Sequence, residues 1–283
     1  MTNDAVVRVR DLRFSYGPGL PDVLRDVDLT IRAGELVALL GQNGAGKTTL
    51  AKHLNGLHRP TAGTVEVAGR PVQGQPLAQL ARTVGFCYQN PDHQIFSSSV
   101  EKEVAFGPHN LGFPPEKVTE LVTAALDLVG LSGERDTHPF SLGRGQRQLV
   151  AVASVLAMDP PLLVIDEPTT GMDRVGATQV MELLTTWAGS GRSILAITHD
   201  MDLVTEYIPR AMVMAGGRIL ADGPTQDVFR RDDVLKEAHL VAPAPVVISD
   251  RLRPYGLPRC RSIAEAVEHI AAVHAGGTCA SRL

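Results

Sequence analysis

A glycine-rich segment that ends in a lysine and two threonines, GQNGAGKTT at residues 41–49, has the most specific chemistry in the sequence. Gly41, Gly46, Lys47 and Thr48 occupy the fixed positions of the pattern G-x-x-x-x-G-K-[ST], directly after the apolar run LVALL. Glycines let backbone N–H groups surround phosphate oxygens, and the helix that follows directs its positive end at the same anion. The lysine reaches the β and γ phosphates, and the threonine hydroxyl holds Mg²⁺. The segment therefore predicts a nucleotide site.

Two adjacent carboxylates end a second apolar run, in LLVIDEPTTGMD at residues 162–173. Side chains at the carboxyl end of a buried parallel strand open into the crevice where such sheets bind ligands. We expect Asp166 to hold magnesium through water, and Glu167 to act as the general base on a water that attacks the γ phosphate. Beside a phosphate loop, this pair predicts hydrolysis of the nucleotide.

Two more polar side chains follow apolar runs where they can reach the same phosphate. His199 lies near the end of ILAITHD, and a neutral imidazole there can orient both water and the γ phosphate. Gln89 follows VGFCY, and its amide can accept from a metal-bound water and donate to a phosphate. The guanine-selective pattern N-K-x-D does not occur in the sequence. Cys87, in the same apolar run, is predicted to be a small buried hydrophobe.

Short β-branched runs alternate with longer segments of helical periodicity, which indicates a largely parallel sheet flanked by helices. LVALL, LLVI and ILAIT are apolar throughout, so they are predicted to be central strands buried on both faces. Further strands are predicted in VVRVR, TVEVA and AMVMA. Between Pro91 and Pro160 the pattern is helical, with helices at about 115–130 and 145–158, and a last helix is predicted in SIAEAVEHIAAVHA.

Composition and charge exclude some classes of function. The 283 residues carry a net charge of −4, which argues against a general nucleic-acid binder, because neutralising phosphates needs clustered Lys and Arg. No apolar run reaches the roughly 18 to 20 residues of a bilayer span. Any contact with a membrane is therefore expected to come through a partner.

With these motifs in this order, residues 5–240 resemble the nucleotide-binding ATPase of ABC transporters. The resemblance implies an α/β fold with a P-loop NTPase (RecA-like) core, an antiparallel β subdomain, a helical subdomain at about 91–160 and a short C-terminal helical extension at 241–283. It also makes Gln89 the centre of the glutamine loop and His199 the switch histidine. It implies ATP and Mg²⁺ as ligands, with Thr48, Gln89 and Asp166 at the metal.

The same resemblance implies that a second ATPase chain completes the site, because two such domains dimerise head to tail. Asp173 lies in the loop that follows the acid pair and is expected at the dimer contact. The residues implied to bind ATP within one chain are Tyr16, which would stack on adenine, and Gly41, Gln42, Asn43, Gly44, Ala45, Gly46, Lys47, Thr48 and Thr49.

PFSLGRGQRQL, residues 139–149, lies where the family usually has the signature LSGGQ, which reaches the γ phosphate bound by the opposite chain. Leu142, Gly145 and Gln146 match, whereas Gly143 replaces the serine and Arg144 the first glycine. The lost hydroxyl removes an interaction worth roughly 1.5 to 3 kcal/mol. Three alternatives stay open: Arg144 supplies a guanidinium to the phosphate, it obstructs close approach, or a one-residue shift brings in Ser141. The altered signature beside complete hydrolytic residues favours a heterodimer over a homodimer.

A narrower resemblance lies in YQNPDHQIFSSSVEKEVAFGPHNLGFP, residues 88–114. This segment is similar to the ATPases of energy-coupling-factor importers, which take up cobalt, nickel and vitamins. It implies a transmembrane coupling subunit and a substrate-binding membrane subunit as partners, and a peripheral place on the cytoplasmic face of the cell membrane. Ile95, Phe96 and Phe106 are predicted apolar anchors for a coupling helix, with the alternative that some of them belong to the core of the helical subdomain. The alternative functions are a soluble ABC ATPase and a weakly hydrolysing, nucleotide-dependent regulatory subunit.

Overall fold

The computed structural model describes residues 5–275, which form two β-sheets and a set of surrounding helices. The strands are β1 (Ala5–Phe14), β2 (Leu24–Arg32), β3 (Leu36–Leu40), β4 (Ala62–Val67), β5 (Arg70–Pro71), β6 (Val84–Cys87), β7 (Leu162–Asp166), β8 (Ser193–Ile197), β9 (Arg210–Ala215) and β10 (Arg218–Pro224). The helices are α1 (Lys47–Leu54), α2 (Leu77–Leu80), α3 (Val100–Asn110), α4 (Pro115–Leu128), α5 (Arg144–Leu156), α6 (Arg174–Gly189), α7 (Met201–Tyr207), α8 (Thr225–Val228), α9 (Asp232–Glu237), α10 (Ala244–Leu252) and α11 (Ile263–Ala275).

The larger sheet has six strands in the order β10-β9-β3-β8-β7-β6. Its pairings from β9 to β6 are parallel, and β10 joins the edge antiparallel to β9. The prediction that LVALL, LLVI and ILAIT form central strands is confirmed, since they are β3, β7 and β8. The phosphate loop, the acid pair and His199 lie at the carboxyl ends of these three strands, so the parallel register places them at one edge of the sheet.

The uninterrupted apolarity of the central strands has a direct cause in the packing. Leu36, Ala38 and Leu40 of β3 face a core shared with the helices, whereas Val37 and Leu39 face a second core shared with the other sheet. A strand buried on both faces has no position for a polar side chain. Fully burying each leucine contributes about 1.5–3 kcal/mol to stability.

The smaller sheet is antiparallel, in the order β2-β1-β4-β5. The alternation of strands and helices along the chain predicts a largely parallel sheet. The VVRVR and TVEVA strands do not belong to that sheet but to this second, antiparallel one. β1 pairs antiparallel with both β2 and β4. The two runs alternate buried and exposed residues, as strands with only one covered face do. The expectation of an antiparallel β subdomain beside the core is confirmed.

The segment between β6 and β7 contains α3, α4 and α5, which pack on one another through buried apolar residues such as Val104, Val122 and Val152. The helices predicted at about 115–130 and 145–158 are confirmed as α4 and α5, each with ends displaced by no more than a few residues. The last predicted helix is α11, and residues beyond 275 in the predicted C-terminal extension lie outside the described part of the chain. Within residues 5–275, no helix has both the length and the apolar character needed to cross a bilayer.

Candidate functional site

The phosphate loop connects the end of β3 to the start of α1. Gly41 and Gly46 have φ values of +148° and +105°, which L side chains rarely adopt. A Cβ at Gly41 would also collide with the carbonyl oxygen of Met214 on β9. Gln42, Asn43 and Gly44 are exposed at the turn, whereas Ala45 is buried. Both glycines are therefore required by the backbone path that the pattern predicts.

The side chain of Lys47 bonds to the backbone of the phosphate loop. Its Nζ donates to the carbonyl oxygens of Gly41, at 2.7 Å, and of Gln42, at 3.0 Å. Burial lowers the pKa of this amine, and the neighbouring carboxylates of Glu167 and Asp166 oppose that shift. The ammonium thus lies between the loop and two acids, where a phosphate chain bound in the loop would meet its positive charge.

Thr48 and Asp166 are joined across the sequence by a hydrogen bond. The Thr48 hydroxyl donates to Oδ2 of Asp166 at 2.9 Å, and Asp166 is the last residue of β7. Burial raises the pKa of this carboxyl, and the bond from Thr48 acts in the opposite direction. A hydroxyl and a carboxylate oxygen are the hard donors that Mg²⁺ prefers. Thr48 and Asp166 therefore fit the predicted metal.

Glu167 is held in an unusual backbone conformation beside His199. Its φ is +53°, in the left-handed region that costs a non-glycine residue about 1–2 kcal/mol. Its backbone N–H donates to the carbonyl of Ile197 at 2.7 Å, which fixes this turn to β8. The side chain is buried, and its Oε1 accepts a 2.7 Å hydrogen bond from Nδ1 of His199. The hydroxyls of Thr170 and Thr198 lie 3.4 and 3.5 Å from Oε2.

Tyr16 and Gln89, two further predicted site residues, are exposed. The Tyr16 hydroxyl lies 3.0 Å from Oγ1 of Thr49 on α1, while 59% of the tyrosine is exposed. Gln89 is exposed two residues after β6, the strand beside β7. Cys87 is fully buried, and burial raises the pKa of its thiol to about 12, which agrees with the prediction of a buried hydrophobe.

The signature segment forms the start of α5. Leu142 is buried and the Gly143 N–H donates to Oε1 of Gln146 at 3.3 Å, while Gly145 lies in the first turn. Arg144 is exposed, and its guanidinium lies on Gly171, in the loop after the acid pair. A Cβ at Gly171 would lie 2.9 Å from Nε of Arg144. The substituted residue of the signature thus contacts the loop that begins at Glu167.

Asp173 has a local structural role in this chain. Its Oδ1 accepts from the N–H of Gly176 at 2.8 Å, so Asp173 caps the N-terminus of α6. The residue is also exposed. A dimer role for Asp173 stays a prediction, and the cap places the residue at the end of the same loop that Arg144 contacts.

Several interactions around the 88–114 segment were not foreseen from the sequence. Asp92 accepts from Nε of Arg147 at 2.8 Å, and Nε2 of Gln94 donates to the carbonyl of Ala151 at 2.8 Å. Buried Glu103 accepts from the N–H groups of two residues in the turn before α3, at 2.8 and 3.0 Å. The bonds of Asp92 and Gln94 thus attach the glutamine loop to α5, the signature helix. The only sequence signal was the density of polar residues within QNPDHQ.

The three predicted apolar anchors do not share one environment. Phe96 and Phe106 are 63% and 49% exposed, and their ring centroids lie 4.7 Å apart in an edge-to-face contact. Ile95 is buried and packs in the core with the helices. Ile95 is therefore a core residue, the alternative expected for some of the three, and the exposed anchors are reduced to Phe96 and Phe106.

Comparisons with known proteins agree with this geometry. The ABC transporter family model matches residues 24–170. The energy-coupling factor transporter ATP-binding protein EcfA of Methanocaldococcus jannaschii is 43% identical over 240 residues, covering 84% of this chain and 86% of the relative. A chain of Methanosarcina acetivorans described as an ABC transporter ATP-binding protein is 44% identical over 261 residues, or 92% of this chain. This chain spans 42% of the length of that relative.

A solved structure carries the same architecture. The cbiO1 structure from Clostridium perfringens, described as part of the ABC transporter complex cbiONQ, matches with a TM-score of 0.76 and 33% identity. The match covers 84% of this chain and 95% of the solved one. The chain belongs to the ABC transporter family, and it is similar to the ATP-binding proteins of energy-coupling-factor transporters.

Proposed function

We propose that this chain is the ATP-hydrolysing subunit of an energy-coupling-factor type importer for a metal ion or a vitamin. The observation that carries hydrolysis is the hydrogen bond between Glu167 and His199, at the strand edge that also presents Lys47 and the pair Thr48–Asp166. The identity of 43% to an energy-coupling factor ATPase supports the class of importer.

The proposed mechanism assigns one task to each polar group. Glu167 accepts a proton from the attacking water while the water oxygen bonds to the γ phosphorus, and the bond from that phosphorus to the bridging oxygen of ADP breaks. His199 donates Nδ1–H to Glu167, and in the doubly protonated imidazolium form its Nε2–H would also donate to the γ phosphate. Lys47 neutralises charge on the β and γ oxygens. When bound by Thr48, Asp166 and Gln89, Mg²⁺ supplies further neutralisation of phosphate charge.

The proposed assembly has the chain bound peripherally to membrane partners at the cytoplasmic face of the cell membrane. Phe96 and Phe106 supply an exposed apolar pair beside the glutamine loop, suited to a helix of a transmembrane coupling subunit. The bonds from Asp92 and Gln94 to the signature helix connect that surface to the part of the chain that faces the second ATPase.

For the second ATPase chain we propose a different polypeptide. Arg144 occupies the signature position where close approach to the partner's phosphate is needed, and it lies on Gly171 of its own chain. A partner with an unaltered signature would complete the site of Lys47 and Glu167, while this chain's signature would serve the weaker site. Fast ATP hydrolysis by a homodimer of the purified chain would contradict this proposal.

The altered signature also favours a second candidate function, a regulatory subunit that binds ATP and hydrolyses little. The two functions are distinguished by expressing the chain with its membrane partners, purifying the complex and measuring ATP-driven uptake of Co²⁺, Ni²⁺ and vitamins into vesicles. The importer requires co-purification and uptake that stops when this chain carries Lys47→Ala. Uptake that persists with Lys47→Ala would favour the regulatory function.

A further inference from the structure

Tyr16 belongs to a cluster of four aromatic rings. Two of these rings belong to histidines that are not part of the site described above. Phe14 lies at the centre: its ring is stacked on His58, with centroids 5.0 Å apart, and meets His53 edge to face at 4.7 Å. Tyr16 meets Phe14 at 4.9 Å and His58 at 5.5 Å, both edge to face. The rings of Phe14 and His58 thus pack against Tyr16, and the exposed part of Tyr16 points to solvent.

Hydrogen bonds join the same cluster to the helix of the phosphate loop. Nδ1 of His53 lies 2.8 Å from the carbonyl oxygen of Thr49, which can only accept, so Nδ1 carries the hydrogen. Oγ1 of Thr49 lies 3.0 Å from the Tyr16 hydroxyl. Thr49 is two residues beyond Lys47. The ring of Tyr16 is therefore fixed relative to the phosphate loop through Thr49 and His53.

Burial favours the neutral form of both imidazoles in this cluster. Burial lowers the pKa of His53 to about 4, and burial also lowers the pKa of His58. The Nε2 atoms of both histidines are buried without a hydrogen-bonding partner among the described residues. His58 thus contacts the cluster through its ring and has a hydrogen bond with the backbone of Leu57, while His53 adds the bond to Thr49.

We propose that His53 and His58 are positioning residues that hold Tyr16 in the orientation for stacking on the nucleotide base. They set affinity for the base without touching the nucleotide. This inference rests on the proposed ATP site, and it concerns only the base and not the phosphates. A ring preorganised by its neighbours loses less freedom on binding, which increases affinity.

The test compares the binding of Mg-ATP with that of Mg-tripolyphosphate, which has the phosphates but no base, by calorimetry on the full chain. We expect His58→Ala to weaken Mg-ATP binding roughly 2- to 10-fold, the effect of losing an aromatic contact. Mg-tripolyphosphate binding should be unchanged. His269→Ala, on α11, is the matched control and should change neither. His53→Asn keeps a donor for the Thr49 carbonyl and should weaken Mg-ATP binding less than His53→Ala.

A double-mutant cycle with Tyr16→Ala shows whether the histidines act through the tyrosine. Because His58 acts through Tyr16, the double variant should bind Mg-ATP no more weakly than Tyr16→Ala alone. Additive losses, equal losses for both ligands, or an unaffected His58→Ala variant would each overturn the inference. If these variants affect Mg-ATP binding as expected but the complex fails to transport, the transport proposal is contradicted and the inference about His53 and His58 is not.

Discussion

Nδ1 of His199 lies 2.7 Å from Oε1 of Glu167, and the two residues follow adjacent parallel strands, β8 and β7. The strained φ of Glu167 and its backbone bond to Ile197 position the carboxylate for this contact. An exposed imidazole and a buried carboxylate so joined place a proton acceptor next to a group that can bind phosphate. The hydrolytic function that we propose for the chain depends on this pair.

Removing the imidazole should slow hydrolysis while leaving ATP bound. We expect His199→Ala to lower kcat on the order of 10²-fold, because the general base loses its orienting donor and the γ phosphate loses a contact. Binding of Mg-ATP should change less than the rate, since Lys47 and the loop are intact. Steady-state kinetics and calorimetry on the assembled complex measure the two quantities. An increase in KM with an unchanged kcat would mean that His199 contributes to ATP binding and not to hydrolysis.

The hydroxyl of Thr48 should govern the requirement for magnesium. Thr48→Val removes both the donor to Asp166 and an oxygen ligand, so we expect the Mg²⁺ concentration for half-maximal activity to rise about 10-fold or more. Thr48→Ser keeps the hydroxyl and is the control, with an activity near that of the wild type. The measurement is a titration of ATPase activity against Mg²⁺. Equal titration curves for Thr48→Val and Thr48→Ser would show that the Thr48 hydroxyl does not bind the metal.

Restoring the signature should strengthen the site that this segment completes. The double variant Gly143→Ser with Arg144→Gly supplies a hydroxyl for the partner's γ phosphate and removes the side chain that lies on Gly171. We expect turnover in the assembled complex to rise by roughly 10- to 150-fold, since such a bond contributes roughly 1.5–3 kcal/mol. Arg144→Lys tests whether the planar guanidinium matters. Complete loss of activity in the double variant would show that Arg144 is itself required.

Stability should depend on pH through His53. Its pKa in the folded chain is lowered to about 4, so the unfolded chain binds a proton at higher pH than the folded one. The contribution to stability is therefore fully present above about pH 6.5 and is lost as the pH falls toward 4. Urea unfolding of the wild type and of His53→Asn should give free energies of unfolding that converge as the pH is lowered. Parallel curves would contradict the assignment.

Sequence and structure agree most closely where packing or chemistry leaves one choice. LVALL has to be a strand covered on both faces, and the loop after it needs glycine at 41 and 46, so both were predictable. VVRVR and TVEVA alternate in burial, but the sheet to which they belong depends on contacts between distant segments. Ile95 and Phe96 are adjacent and apolar, and only the folded structure shows that Ile95 is buried and Phe96 exposed.

Other features of the site depend on long-range contacts between side chains of ordinary type. Nothing in the types or spacing of His53 and His58 indicates that they meet Phe14 and Tyr16, because these residues come from different elements. The position of the Arg144 guanidinium on Gly171 is likewise set by how α5 approaches the loop after β7. The phosphate-binding chemistry was thus readable from motifs, whereas the supporting contacts were not.

The central claim, that Glu167 is the general base, is tested most directly by Glu167→Gln in the assembled complex. The glutamine is nearly isosteric but cannot accept the proton of the attacking water, so we expect hydrolysis to fall on the order of 10²- to 10⁴-fold. Bound ATP should persist unhydrolysed in a closed dimer, detected by recovering labelled ATP with the dimer on size exclusion. Unchanged turnover, with ADP recovered in place of ATP, would contradict the account.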